Sequence, residues 1–129
     1  MENMFIKQTK YTPLILFDAD NHTLEIRGES YPEDTSIFYT PVFRWLETYL
    51  AEFSGKQTIT LNMEMIYYNS NSSRSLMNIL NMLQDASMDG KKVVINWYYH
   101  KDNEMALENG EEFREDLESL TFNLVRTGG

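Results

Sequence analysis

The chain has 129 residues, of which 42% are hydrophobic and 13% aromatic, and its 20 acids and 11 bases give a net charge of -9. This length and apolar content predict one folded domain over residues 1–129 and argue against a disordered chain. The negative charge argues against unassisted binding of nucleic acids or anionic membranes, since both rely on Lys and Arg. Without cysteine, a signal peptide or a long apolar run, we expect a cytoplasmic protein with protein partners.

The first predicted elements are two strands that form a hairpin. Residues 14–17 read Leu-Ile-Leu-Phe, and Leu24 and Ile26 alternate with polar residues. Residues 18–21 between them are Asp, Ala, Asp and Asn, and Asp and Asn favour turns. These strands are therefore expected to pair antiparallel.

A helix is predicted next, because apolar residues recur at helical spacing from Phe38 to Phe53. Asp34 or Thr35 can cap its start. Gly55 follows its end, where a left-handed cap is usual, and Pro41 indicates a kink or a later start.

The clearest strand signal lies at residues 58–65, where Ile, Leu, Met and Met alternate with polar residues. A polar segment at 69–73, Asn-Ser-Asn-Ser-Ser, then precedes an apolar helical stripe that ends before Asp89 and Gly90. This order predicts a strand, a polar turn and a helix.

The rest of the chain predicts a strand at 93–99, a helix over 104–117 and a final alternating strand at 120–124. Asn109 and Gly110 could interrupt the last helix. The predicted order is β-β-α-β-α-β-α-β, with parallel crossovers after the hairpin. We therefore expect an α/β fold with a mixed sheet and helices mainly on one face.

Catalytic chemistry has little support in the sequence. Its two histidines, His22 and His100, have no nucleophile at a recognisable spacing, and nucleotide-cradle and zincin motifs are absent. A small hydrolase using either histidine with nearby acids is the weakest hypothesis. We expect no enzyme, no cofactor and no metal site.

Acidic side chains are concentrated near the C-terminus, against a single base, Arg114. The acids are Asp102, Glu104, Glu108, Glu111, Glu112, Glu115, Asp116 and Glu118. They could form a docking surface for a basic partner or a solvated helix face, and their spacing does not match an EF-hand.

Two interpretations fit the polar segment at 69–73. Ser and Asn are favoured N-cap residues, so the segment could simply start a helix. Alternatively, a hydroxyl there could be phosphorylated, because the free N–H groups and the dipole of a helix N-terminus tolerate anions. The local sequence does not decide between them.

Several segments together resemble the SiaC-type regulatory phosphoproteins of bacteria, whose fold is like that of the STAS anti-sigma-factor antagonists. The resemblance spans nearly the whole chain. No single segment is specific to the family, but the segments together are. Its segments are Thr12-Pro13, Gly28–Glu33, Trp45–Leu50, Tyr68–Ser70, Trp97–Tyr99 and Gly110–Asp116.

In that family the strand-to-helix turn reads Asn-Thr-Ser-Ser, and its threonine is phosphorylated. Ser70 falls on that threonine, whereas Asn71 departs from the pattern, so Ser72 and Ser73 stay open as alternatives. The resemblance also implies a cognate serine/threonine kinase, an opposing PP2C-type phosphatase and, in some members, a diguanylate cyclase bound by the unmodified form.

The resulting hypothesis is a phosphorylation-controlled switch that binds an effector when Ser70 is unmodified. The alternative is a constitutive protein-interaction module whose polar turn is only a cap. The expected partner-binding residues are Tyr31, Pro32, Tyr68, Asn69, Asn71, Ser72, Ser73 and Arg74.

Overall fold

A computed structural model describes all residues, 1–129, and contains six strands and three helices. The strands are β1 (Met4–Ile6), β2 (Leu14–Asp18), β3 (Thr23–Ser30), β4 (Thr58–Tyr68), β5 (Lys92–His100) and β6 (Thr121–Thr127). The helices are α1 (Thr35–Glu52), α2 (Ser70–Met88) and α3 (Glu104–Asp116).

The six strands form one sheet in sequence order, β1-β2-β3-β4-β5-β6. β1, β2 and β3 pair antiparallel, and β3 to β6 pair parallel. Right-handed crossovers between consecutive parallel neighbours place α1, α2 and α3 on the same face. The predicted mixed sheet with helices mainly on one face is confirmed.

The core lies between that face and the helices. In β4 the inward residues are those of the predicted alternation: Ile59, Leu61, Met63 and Met65 are buried. α2 packs on them with the predicted apolar stripe, which consists of Leu76, Ile79, Leu80 and Leu83. The alternating apolar residues of β4 and the helically spaced apolar residues of α2 therefore pack against each other, as the sequence predicts.

The predicted order lacked one strand, β1, whose Met4 and Ile6 are opposite Phe17 and Ile15 of β2. Three residues at a sheet edge carry too short a pattern to predict a strand from the sequence. Their conformation is set by pairing with β2, so this part of the prediction was wrong.

Two details of α1 also differ from the prediction. The helix begins at Thr35, with Asp34 Oδ1 accepting the Ile37 N–H at 3.1 Å, and it continues through Pro41. Its C-cap is Phe53, in an extended conformation, so the predicted left-handed cap at Gly55 was wrong. The Phe53 N–H bonds the Tyr49 carbonyl instead.

Gly110 does not interrupt α3, which is continuous from Glu104 to Asp116. A Cβ built at Gly110 would lie 2.5 Å from Cδ1 of the Trp97 ring and 2.8 Å from the Leu124 side chain. The Trp97 indole N–H donates to the Ala106 carbonyl at 2.8 Å. Gly110 thus lets α3 approach the sheet closely, which a larger residue would prevent.

Candidate functional site

The polar turn joins β4 to α2 at the carboxyl end of the parallel strands. Asn69 is the N-cap, because its Oδ1 accepts the Ser72 N–H at 2.9 Å. Its own N–H donates to the Ser30 carbonyl at 3.1 Å, which ties the turn to the end of β3. Ser70 is then the first residue of α2, and it is exposed.

Ser72 is fully buried under the same turn, with 0% of its surface exposed. Its Oγ accepts from Ser30 Oγ at 2.8 Å, and Ser30 Oγ lies 2.6 Å from Tyr39 Oη. All three residues are excluded from solvent, and burial raises the pKa of Tyr39 to about 12. A kinase therefore cannot reach the Ser72 hydroxyl without opening the fold.

A bulge in β4 precedes the turn. The register with β3 passes from Gly28 opposite Met65 to Glu29 opposite Tyr67, which leaves Ile66 unpaired. The Ile66 carbonyl accepts from Asn103 Nδ2 at 3.3 Å. Ile66 and Tyr67 are consequently both outside the core, 61% and 52% exposed.

Tyrosines from three segments stack beside this bulge. The ring centroids of Tyr11 and Tyr31 lie 5.4 Å apart, and those of Tyr31 and Tyr67 lie 5.8 Å apart, each pair edge to face. We call Tyr11, Tyr31, Ile66 and Tyr67 the tyrosine patch. An exposed apolar surface of this kind marks interaction sites in many proteins.

Of the predicted partner-binding residues, Tyr31 lies in the tyrosine patch, and Pro32 follows it half-buried. Tyr68 instead turns towards the helices, with its ring centroid 6.2 Å from that of Phe113, and burial raises its pKa. Tyr11, Ile66 and Tyr67 were not predicted. The signal that could have revealed Ile66 and Tyr67 is the unbroken run Met65 to Tyr68, which ends the alternation, whereas no pattern marks Tyr11.

Two grooves flank the start of α2. One, of about 370 Å³, lies between the N-termini of α1 and α2, and Asn71 lines it together with Glu33 and Asp34. The other, of about 310 Å³, lies between α2 and α3 and is lined by Tyr68, Ser73, Arg74, Met77, Asn109, Glu112, Phe113 and Asp116. Of the predicted site residues of α2, Asn71 lines one groove, Ser73 and Arg74 line the other, Ser72 is buried, and Ser70 is exposed outside both grooves.

The two histidines lie apart from this turn. His22 follows β2, with its Nδ1 2.7 Å from Tyr49 Oη, beside a pocket of about 390 Å³ at the opposite end of β3 from Ser30. His100 Nδ1 accepts the Asp102 N–H at 3.1 Å. Neither ring hydrogen-bonds a serine or threonine, so the nucleophile that the hydrolase hypothesis needs is not beside either histidine.

The acidic segment forms the outer face of α3 and the residues around it. Its carboxylates are exposed, and Oδ2 of one of them, Asp102, lies 3.6 Å from His100 Nδ1. No group of His, Asp and Glu side chains has an arrangement that could hold a metal ion. Both interpretations of the segment, docking surface and solvated face, fit this geometry.

A helix-covered mixed sheet with an exposed serine at a strand-to-helix turn, next to an aromatic surface, defines a small α/β domain of mixed-sheet topology. A family model described as "SiaC family regulatory phosphoprotein" matches residues 6–127. The chain belongs to this family.

Three relatives support that assignment. An uncharacterised protein of Pseudomonas aeruginosa strain UCBPP-PA14 is 35% identical over 116 residues, which are 90% of each chain. The crystal structure of apo-SiaC from Pseudomonas aeruginosa has a TM-score of 0.83 at 31% identity, over 99% of this chain and 100% of that one. A chain in the crystal structure of the diguanylate cyclase SiaD in complex with its activator SiaC, from the same organism, has a TM-score of 0.84 at 33% identity, over 95% and 97%.

None of the three helices is long and apolar enough to cross a lipid bilayer.

Proposed function

We propose that this chain is a protein-binding switch that holds an effector while Ser70 is unmodified and releases it when Ser70 is phosphorylated. The observation that carries the proposal is the difference between neighbouring hydroxyls: Ser70 is exposed beside an aromatic surface, whereas Ser72 is sealed in the core. Ser73 is half-buried against the α2–α3 groove and is a less accessible alternative.

The fold should tolerate a phosphate on Ser70. At the first position of α2 the N–H groups of Ser70 and Asn71 have no intrahelical partner, because a helix leaves its first amides unbonded. The helix dipole also favours an anion there, by about 0.3 to 1 kcal/mol. Phosphorylation should therefore change binding and leave the fold intact.

The same phosphate should oppose docking. It adds about -1.5 to -2 charges beside the tyrosine patch, one residue before Asn71, which lines a groove with Glu33 and Asp34. An effector that covers this surface has to desolvate the dianion, and unless it brings a cation of its own the cost is several kcal/mol. Each 1.4 kcal/mol weakens binding tenfold, so release is the expected result.

The partners of this proposal are a cognate serine/threonine kinase, a PP2C-type phosphatase and an effector. The kinase reaction consumes ATP, so we place this switch in the cytoplasm, where ATP is available. The relative SiaC is an activator found in complex with the diguanylate cyclase SiaD. By that likeness we propose a diguanylate cyclase as the effector of this chain.

The experiment compares the affinity of a diguanylate cyclase from the same genome for wild type, Ser70→Ala and Ser70→Asp. We expect wild type and Ser70→Ala to bind equally and Ser70→Asp to bind at least tenfold more weakly. Ser54→Asp is the matched control, since Ser54 is exposed beyond the C-terminal end of α1. Equal loss in both aspartate variants would show a general charge effect and contradict the proposal.

Phosphorylation itself is tested by intact mass after incubation with the kinase and ATP. One added phosphate is expected in wild type and Ser73→Ala, and none in Ser70→Ala. A phosphate that persists in Ser70→Ala and disappears in Ser73→Ala would move the switch to Ser73.

The tyrosine patch also favours a second candidate, a constitutive interaction module, because an apolar surface binds without any modification. Ile66→Ser should weaken binding in both cases, because both use the tyrosine patch. Treatment with the kinase and ATP separates them: a switch should take up phosphate and lose binding, whereas a module should take up none and bind as before.

A further inference from the structure

Arg74 lies one helical turn after Ser70, four residues along α2, and both side chains are exposed. Residues at this spacing are neighbours on a helix surface. The ion pairs of the structure involve Arg27, Lys91 and His100, and Arg74 takes part in none of them. It stays unpaired although Glu112 and Asp116 line the same groove.

We propose that Arg74 is the intramolecular partner of a phosphate on Ser70, an inference that rests on the proposed function. A guanidinium presents several N–H donors in a planar fork and can bond two phosphate oxygens at once. The order along the helix, anion first and cation four residues later, is also the more favourable one.

The two grooves that flank the first turn of α2 offer few alternatives to this pairing. The groove towards α1 contains Glu33 and Asp34, and the groove towards α3 contains Glu112 and Asp116. All four carboxylates repel a phosphate. Arg74 is the only basic side chain that lines either groove.

The pairing gives the switch a second component. In the unmodified protein Arg74 is an exposed, unpaired cation in the groove between α2 and α3, available to a carboxylate or carbonyl of the effector. The phosphate would draw it back onto the first turn of α2. Phosphorylation would then remove an attractive group from the surface as well as add a repulsive one.

The test uses full-length protein with phosphoserine incorporated at position 70 during translation, so that neither the kinase nor the effector is needed. Phosphorus NMR then follows the second ionisation of the phosphate against pH. The variants are Arg74→Gln, Arg74→Lys and the matched control Arg44→Gln, which removes one exposed charge from α1.

In Arg74→Gln we expect the ratio of dianion to monoanion at a fixed pH near 6 to fall by about twofold. Arg74→Lys should restore part of that ratio, because it keeps the charge without the fork. Arg44→Gln should match wild type. The Arg74 Nε–H resonance should also shift when position 70 is phosphoserine.

Identical titrations in wild type and Arg74→Gln, or an equal change in Arg44→Gln, would overturn the proposed pairing. Neither result concerns the proposed function, which fails only if the kinase leaves Ser70 unmodified or if the modification does not weaken effector binding.

Discussion

Replacing Ser70 or Ser72 by aspartate adds the same charge two residues apart on α2, and the structure predicts opposite effects on stability. Ser70→Asp puts the carboxylate in solvent at the first helical position, where the dipole favours it by about 0.3 to 1 kcal/mol. Helix propensity alone treats the two positions alike, since acids are favoured throughout a first turn. The two positions differ in burial, because Ser70 is exposed and Ser72 is buried.

Ser72→Asp should be strongly destabilising. The substitution removes the hydrogen bond from Ser30 Oγ, which leaves buried hydroxyls of Ser30 and Tyr39 with fewer partners, at about 1 to 3 kcal/mol. It also buries a carboxylate with no cation beside it, which costs several kcal/mol more. We expect a loss of about 4 kcal/mol or more in the free energy of unfolding.

Urea unfolding followed by tryptophan fluorescence measures both variants against wild type at pH 7. With a slope of about 2 kcal/mol per molar, the Ser72→Asp midpoint should fall by about 2 M, while that of Ser70→Asp stays level or rises. Ser72→Ala, which adds no charge, should fall between them. If Ser72→Asp is as stable as Ser70→Asp, Ser72 is not sealed, and the accessibility argument for Ser70 fails.

Two further outcomes follow from the core. Gly110→Ala should lower stability by about 1 to 3 kcal/mol in urea unfolding, because its methyl group meets the Trp97 ring, although helix propensity alone predicts a gain of about 1 kcal/mol. Tyr39 has a pKa of about 12 in the folded protein, above its unfolded value of 10, so the native state holds the proton more tightly. The contribution of Tyr39 to stability should therefore be constant below pH 10 and fall by about 1.4 kcal/mol per pH unit towards pH 12. Tyr39→Phe should reduce the total fall between unfolding curves at pH 8 and 11 by that contribution. An equal slope in Tyr39→Phe would show that its phenol does not contribute.

Much of the fold could be predicted because most elements carry a complete periodic pattern. Residues 58–65 bury every second side chain, and the stripe from Leu76 to Leu83 is on one side of α2. What could not be predicted depends on other elements. β1 is a strand because β2 offers it an edge, and α1 ends at Glu52, with Phe53 as an extended C-cap, because the chain must turn into β4.

The sequence predicts that the candidate site lies in the segment 69–73. It does not predict which serine hydroxyl of that segment is accessible. Ser70, Ser72 and Ser73 lie within one helical turn, and their local sequence is equally polar. Which of them is buried depends on Ser30 and Tyr39, which are about 30 to 40 residues away in the chain and meet Ser72 only in the folded protein. No periodicity within the segment contains that information.

The bulge at Ile66 exposes one side chain of the tyrosine patch at the end of β4, and a variant without the bulge tests its role. Deleting Ile66 would place Tyr67 directly after Met65, which restores the regular alternation and keeps Glu29 opposite Tyr67 and Ser30 opposite Tyr68. The core and the Ser70 turn should therefore survive, at the cost of the Asn103 hydrogen bond to the Ile66 carbonyl, about 1 kcal/mol.

Effector binding should fall in the deletion variant, because the tyrosine patch loses its most exposed apolar side chain while Ser70 stays accessible. Unfolding in urea, phosphorylation by the kinase and affinity for the effector measure these three consequences separately. A deletion variant that folds, accepts phosphate and binds as tightly as wild type would show that the bulge only ends the strand. In that case the surface controlled by Ser70 would have to lie elsewhere, along the grooves on either side of α2.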